Sequence, residues 1–176
     1  MKTKKICILC LVFFLNACQS TDPYLKTVEF VNMDAFVGKW YVIASRPTMF
    51  EKNAYNATET YSLNKESGKI DVDFRYKKGS FTGPEKTIPQ KAFIHNKQTN
   101  AHWKISLWWL PFKLDYLVID MDKLYQWTVI GVPNQKYLWI MSRKPEMNED
   151  LLSKILMQIK LKGYDTSHVN RVPQKW

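Results

Sequence analysis

The 176-residue chain is 45% hydrophobic and 24% charged, the balance of one soluble globular domain with a leader. Its 14% aromatic content argues against a helical bundle and for a strand-rich fold with an aromatic interior. The formal charge of +10 suits an anionic surface or simply dispersed lysines, and three of those ten charges, Lys2, Lys4 and Lys5, belong to the leader.

Residues 1–17 read as a bacterial export signal, a basic start followed by an uncharged stretch at 6–15. Ten apolar residues fall short of the roughly 20 that span a bilayer, so the segment is expected to be cleaved. Cys7 and Cys10 form a C-x-x-C pattern inside the leader and leave with it, which removes a redox or zinc reading. Leu15-Asn16-Ala17-Cys18 resembles the lipobox of bacterial lipoproteins, which implies a diacylglycerol-modified and N-acylated Cys18 at the mature N-terminus, against ordinary secretion with cleavage near Ala17. Several acyl chains anchor firmly where one binds marginally. Gln19 at the sorting position implies the outer membrane, on its periplasmic face. An anchored tether over 18–33 and a domain over 34–176 follow, with export ruling out a nucleic-acid partner.

Beyond the tether, Gly38-Lys39-Trp40 opens the first of eight short candidate strands, at 40–46, 58–63, 70–76, 91–95, 103–107, 116–120, 126–132 and 137–142. The third alternates Ile70, Val72, Phe74 and Tyr76 with Asp71, Asp73, Arg75 and Lys77, so one face is buried and the other wet. Regular short strands of this kind make a sandwich or an up-and-down barrel, and periodicity does not choose between them. One helix follows: Asn148 is its N-cap, Glu149 and Asp150 sit at its positive end, and Gly163 closes it. Leu151, Leu152, Ile155, Leu156 and Ile159 make the stripe that packs on the domain.

With these elements in order, the chain resembles the lipocalins, and within them the bacterial lipocalin lipoproteins related to apolipoprotein D. Gly38-Lys39-Trp40 resembles the family's first motif, residues 120–125, ending in Tyr125, resemble its second in part, and Arg143 resembles the arginine of its third. The resemblance implies an all-β, eight-stranded antiparallel up-and-down barrel with one C-terminal α-helix. It also implies barrel closure by Gly38, Trp40 and Arg143, the arginine lying over the indole.

Such a barrel encloses one small ligand, and strand alternation assigns Val42, Ala44, Tyr61, Val72, Phe74, Tyr76, Trp103, Ile105, Thr128, Trp139 and Met141 to its lipid-binding pocket. The lining is apolar with a few hydroxyls, which suits a fatty acid or a lysophospholipid, unless the side chains simply fill the interior. Family connectivity places Met49, Phe50, Trp108, Trp109 and Phe112 at a membrane-facing mouth or, equally, in a lid folded onto the barrel. No catalytic, cofactor or metal site is expected: nucleophile elbow, phosphate loop and zinc helix motifs are missing, and His95, His102 and His168 are scattered. Carriage or storage of lipid in the envelope is the expected function, against an envelope interaction protein without ligand or a lipocalin-fold enzyme. Nothing in the sequence fixes an oligomeric state.

Overall fold

Alternating apolar residues, cut by Gly, Pro and Asn at the turns, give a chain of hairpins that closes on itself. The computed structural model of the protein describes residues 26–176, so the leader, Cys18 and the start of the tether lie outside the described residues. A short helix α1 (Met33–Phe36) leads into β1 (Gly38–Arg46), β2 (Ala54–Leu63), β3 (Lys69–Lys78), β4 (Glu85–Ile94), β5 (His102–Ser106), β6 (Leu114–Met121), β7 (Trp127–Gly131) and β8 (Leu138–Ser142). Helix α2 (Glu149–Leu161) and a two-residue strand β9 (Asn170–Arg171) complete the fold.

Each strand from β1 to β8 is antiparallel to the next, and β8 returns to β1 with Tyr41 opposite Ser142 and Arg46 opposite Leu138. This is a closed eight-stranded up-and-down barrel with one helix after it, and closure pairs each of the eight strands on both sides, with the short β9 added beside β1. The expected strands are all present. β2, β3 and β4 are longer than alternation indicated, and residues 77–86, outside the candidate strands at 70–76 and 91–95, belong mostly to the β3–β4 hairpin, with Lys77 paired to Glu85. β2 pairs with β1 only from Thr58 to Tyr61, and its residues before Thr58 are not paired to β1, next to an irregularity in the β2–β3 register between Tyr55 and Thr58. The C-terminal tail covers that seam: Gln174 donates to the Val42 and Ala57 carbonyls at 2.8 and 3.0 Å, and the Asn56 N–H donates to the Pro173 carbonyl.

Two apolar clusters divide the buried residues. One fills the barrel, with Trp40, Tyr61, Ile70, Val72, Phe74, Trp103, Val118 and Met141 among its members. The other lies outside, where Leu152, Ile155 and Ile159 of α2 pack on Leu117, Ile119, Val129, Leu138 and Ile140. Asn148 caps α2 by accepting from the Asp150 N–H at 2.7 Å, as its side chain and position dictate.

Two expectations are corrected here. Ala44 belongs to the cluster under α2 and not to the pocket wall. The register moves from Val42 opposite Met141 to Ala44 opposite Ile140, so Ile43 is an extra residue and a bulge reverses strand parity. The free tether also ends earlier than Met33. The Val28 and Val31 N–H groups donate to the Val118 and Thr99 carbonyls at 2.9 and 2.8 Å, and Val31, Met33 and Phe36 are buried in the barrel core.

Candidate functional site

The barrel interior is built in two storeys. The lower one is solid aromatic packing beneath which α1 forms a plug. Phe36 lies 5.3 Å from Trp40, 5.4 Å from Tyr61 and 5.3 Å from Trp103, and Trp103 stacks on Tyr116 at 5.3 Å, all between ring centroids. The Trp40 Nε1–H is satisfied by the Phe36 carbonyl at 2.8 Å. Arg143 covers the outer face of the same indole, its Cζ 3.7 Å from the ring centroid. Its guanidinium donates to the carbonyls of Lys39, Ala35, Phe36 and Val37 at 2.9, 2.7, 2.9 and 3.1 Å, capping the end of α1. Gly38 has φ +96°, and a Cβ there would stand 3.4 Å from the Arg143 guanidinium, so its glycine serves both conformation and approach. The partial second motif also reaches this floor, since the Tyr125 hydroxyl accepts from the Asn32 N–H at 2.8 Å.

Above this floor lies a cavity of about 440 Å³, open at the opposite end of the barrel. That size falls within the usual range for small-molecule sites. Of the pocket residues expected from the sequence, Phe74, Ile105 and Trp139 line it. Val42, Tyr61, Val72, Tyr76, Trp103 and Met141 also belong to the interior cluster, but they build the packed storey or the wall behind the lining. Thr128 is buried opposite Met141 and donates to the Asp120 carbonyl at 3.2 Å.

The residues expected at the mouth separate into two kinds. Met49, Phe50, Trp109 and Phe112 form the rim of the cavity, with Trp109 5.9 Å from the Phe50 ring. Trp108 stands outside it, 84% exposed, edge-on to Trp109 at 5.5 Å. Met49, Phe50 and Phe112 are themselves more than half exposed, so the rim is an apolar surface turned to solvent.

The sequence reading expected hydroxyls in the pocket but not its two carboxyls. Glu59 projects from β2 into the interior and is only 6% exposed. Tyr61 and Tyr116 donate to its Oε2, the latter at 3.2 Å. Glu51, from the β1–β2 loop, folds its carboxylate inward, where Oε2 accepts from Trp139 Nε1 at 2.7 Å and Oε1 from the Thr48 hydroxyl at 2.8 Å. Burial, with the charge of Glu51 added, pushes the Glu59 carboxyl up to about 8; burial also raises Glu51, against the hydrogen bonds it accepts. Strand parity reveals Glu59, which is two residues from Tyr61 on the same face. Glu51 leaves no such signal, because its position depends on a loop fold.

The histidines lie elsewhere. His102 alternates with the inward Trp103 and meets Asp115 at 2.6 Å, beside His95. Among the described residues, no three His, Cys, Asp or Glu side chains converge as metal ligands.

Comparison with known proteins agrees with this architecture. A family model described as a lipocalin-like domain matches residues 31–174. The outer membrane lipoprotein Blc of Vibrio cholerae is 30% identical over 96% of this chain and 96% of its own length. The protein of the same name from Escherichia coli is 31% identical over 88% of this chain and 87% of its own. Among solved structures, insecticyanin from the tobacco hornworm Manduca sexta superposes with a TM-score of 0.67 at 16% identity, covering 84% of this chain and 83% of that one.

Proposed function

The chain belongs to the lipocalin family, and from that premise we propose that it is a lipid-anchored protein of the bacterial outer membrane that carries or stores fatty acids or lysophospholipids in the cell envelope. The observation that carries this reading is the open cavity of about 440 Å³ with a mostly apolar wall, set above a sealed floor. A single acyl chain suits that shape, since apolar burial contributes about 0.8 kcal/mol per CH₂. Family relatives named outer membrane lipoproteins support the anchor, which is Cys18 on the periplasmic face of the membrane.

In this reading the exposed rim of Met49, Phe50, Trp108, Trp109 and Phe112 touches the bilayer, and lipid enters without crossing water. Indole rings are suited to the headgroup level, where one end of the ring is wet. Native mass spectrometry of the protein taken from cells tests carriage. An acyl ligand that co-purifies at stoichiometric level is the expected result, and a ligand-free barrel in every preparation overturns it. For the mouth, the chain carrying Cys18→Ser, and so unacylated, is expected to bind vesicles containing phosphatidylglycerol. Adding Trp108→Ser, Trp109→Ser and Phe112→Ser is expected to abolish this binding, and unchanged binding removes the rim from the mechanism.

A further inference from the structure

We propose that the cavity contains a subsite for a positively charged nitrogen, formed by Glu51 and Glu59 and the rings beside them, so that its preferred ligands are single-chain amphiphiles bearing an ammonium group. The proposal rests on the carrier reading and names the headgroup chemistry that the same cavity selects.

Both carboxyls line the cavity. The hydrogen bonds to Glu59 from protein groups all end on Oε2, which leaves Oε1 without a partner among the described residues, on a side chain more than nine-tenths buried. That oxygen is not sealed off in the packing but stays accessible from the cavity, so it is the atom that a ligand group would meet there. The groups that touch the carboxyl or act on its charge are acidic or neutral, Glu51 from the β1–β2 loop, Tyr61 on β2 and Tyr116 on β6, while Tyr76 on β3 donates to the Phe50 carbonyl and Gln90 on β4 lines the same cavity. β1, β5, β7 and β8 turn toward the interior only Trp40 and Val42, Trp103 and Ile105, Thr128 and Ile130, and Trp139 and Met141, none of which ionises.

The two other charged residues at the cavity wall are engaged away from its centre. Lys113 Nζ lies 4.1 Å from the Phe93 ring centroid, and Asp115 is paired to Lys104 and His102 at 2.6 Å each. Among the described residues, no cation therefore complements the two glutamates from within the cavity. Phe74, Trp109, Tyr116, Tyr137 and Trp139 supply aromatic faces and edges around the same space. Carboxylate with aromatic rings is the combination that holds an ammonium ion, by Coulomb attraction and cation–π contact in a desolvated site. A ligand carboxylate meets the opposite situation and is left at the rim.

The charge state of the pair couples binding to protons. With its carboxyl pushed up to about 8, Glu59 holds its proton at neutral pH, and a bound cation favours release of that proton to the buffer. Affinity for a cation of fixed charge therefore rises with pH until Glu59 is ionised without help.

The test uses three probes of equal chain length below their micellar concentrations, dodecyltrimethylammonium, dodecan-1-ol and dodecanoate, titrated calorimetrically into the protein. We expect dodecyltrimethylammonium to bind at least about tenfold more tightly than the other two, with proton release visible as a buffer-dependent heat. Its affinity is expected to climb between pH 6 and pH 8, by up to about tenfold per unit. In Glu59→Gln the proton release and the pH dependence disappear, and in Glu51→Gln, Glu59→Gln together the three probes bind alike. Equal binding of all three probes by the unaltered protein, with no proton release, overturns the subsite and leaves the carrier reading standing. Failure of all three probes to bind overturns both. The measurements on the unaltered protein decide the matter even where a variant folds poorly.

Discussion

The two ends of the barrel use similar residues for opposite purposes. At the closed end an indole, a guanidinium and the carbonyls of α1 satisfy one another completely: Trp40 is fully buried, and Arg143 reaches both the ring and four carbonyl oxygens. At the open end the indoles of Trp108 and Trp109 face solvent and the cavity, and two carboxyls sit in the interior with no cation beside them among the described residues. Saturated contacts make the first end a matter of stability. Contacts left to be completed make the second a matter of binding, and substitutions at the two ends are expected to separate those properties.

Trp40→Ala gives the largest effect. It removes a fully buried ring from the Phe36, Tyr61 and Trp103 packing, and about 3 to 5 kcal/mol of stability is expected to go with it in a denaturant titration. Ligand ranking among probes of different headgroup is expected to stay as it was. A change of ranking without loss of stability would move Trp40 to the binding side of the comparison. Arg143→Ala follows at about 2 to 3 kcal/mol, since the α1 carbonyls and the indole lose their partner together. Arg143→Lys is expected to recover only part, because an ammonium lacks the planar fork that reaches several carbonyls at once.

Glu59 breaks the comparison in the other direction, because it is a binding-end residue with a stability signature. Its folded carboxyl is raised to about 8 from a usual value near 4.5, so the folded state holds a proton that the unfolded chain has lost. Stability from this group is present below the unfolded value and is lost as pH rises toward about 8, on the order of 4 kcal/mol across that window. Glu59→Gln is expected to flatten the fall, leaving the variant equal to the parent near pH 5 and more stable near pH 8. Thermal unfolding across that range checks the sign, and a parent protein that gains stability from pH 5 to pH 8 by an amount the variant removes would reverse the assignment.

The closed end was far more legible in the sequence than the open one. Gly38, Trp40 and Arg143 are set by strand order and a motif, and α2 announces itself through Asn148, its acidic first turn and its apolar stripe. Period-two alternation identified the inward faces of β2, β3, β5 and β8 but could not foresee the bulge at Ile43 that turns Ala44 toward α2. The same alternation contains Glu59, yet a carboxyl on an apolar face runs against the expectation that such faces are lined by hydrocarbon. Glu51 and Trp109 were out of reach for a different reason. Their inward placement comes from loop folds fixed by distant partners, Trp139 for one and Phe50 for the other. The packing of 28–36 under the barrel likewise has no sustained period to betray it.

Trp108 and Trp109 offer the smallest and sharpest contrast, since they are adjacent and differ only in what they touch. Trp108 is 84% exposed and lies off the cavity wall, so Trp108→Ser is expected to shift stability by no more than about 0.5 kcal/mol. Trp109 meets Phe50 and lines the cavity, so Trp109→Ser is expected to weaken ligand retention as well. If the rim docks on a bilayer, the unacylated chain with Trp108→Ser loses vesicle affinity while holding a bound probe as firmly as the parent. Equal vesicle binding by parent and Trp108→Ser would assign this ring no membrane role. An additional loss of probe retention in Trp108→Ser would instead make both tryptophans parts of one lid, and the open end would then close over its ligand rather than present it to a membrane.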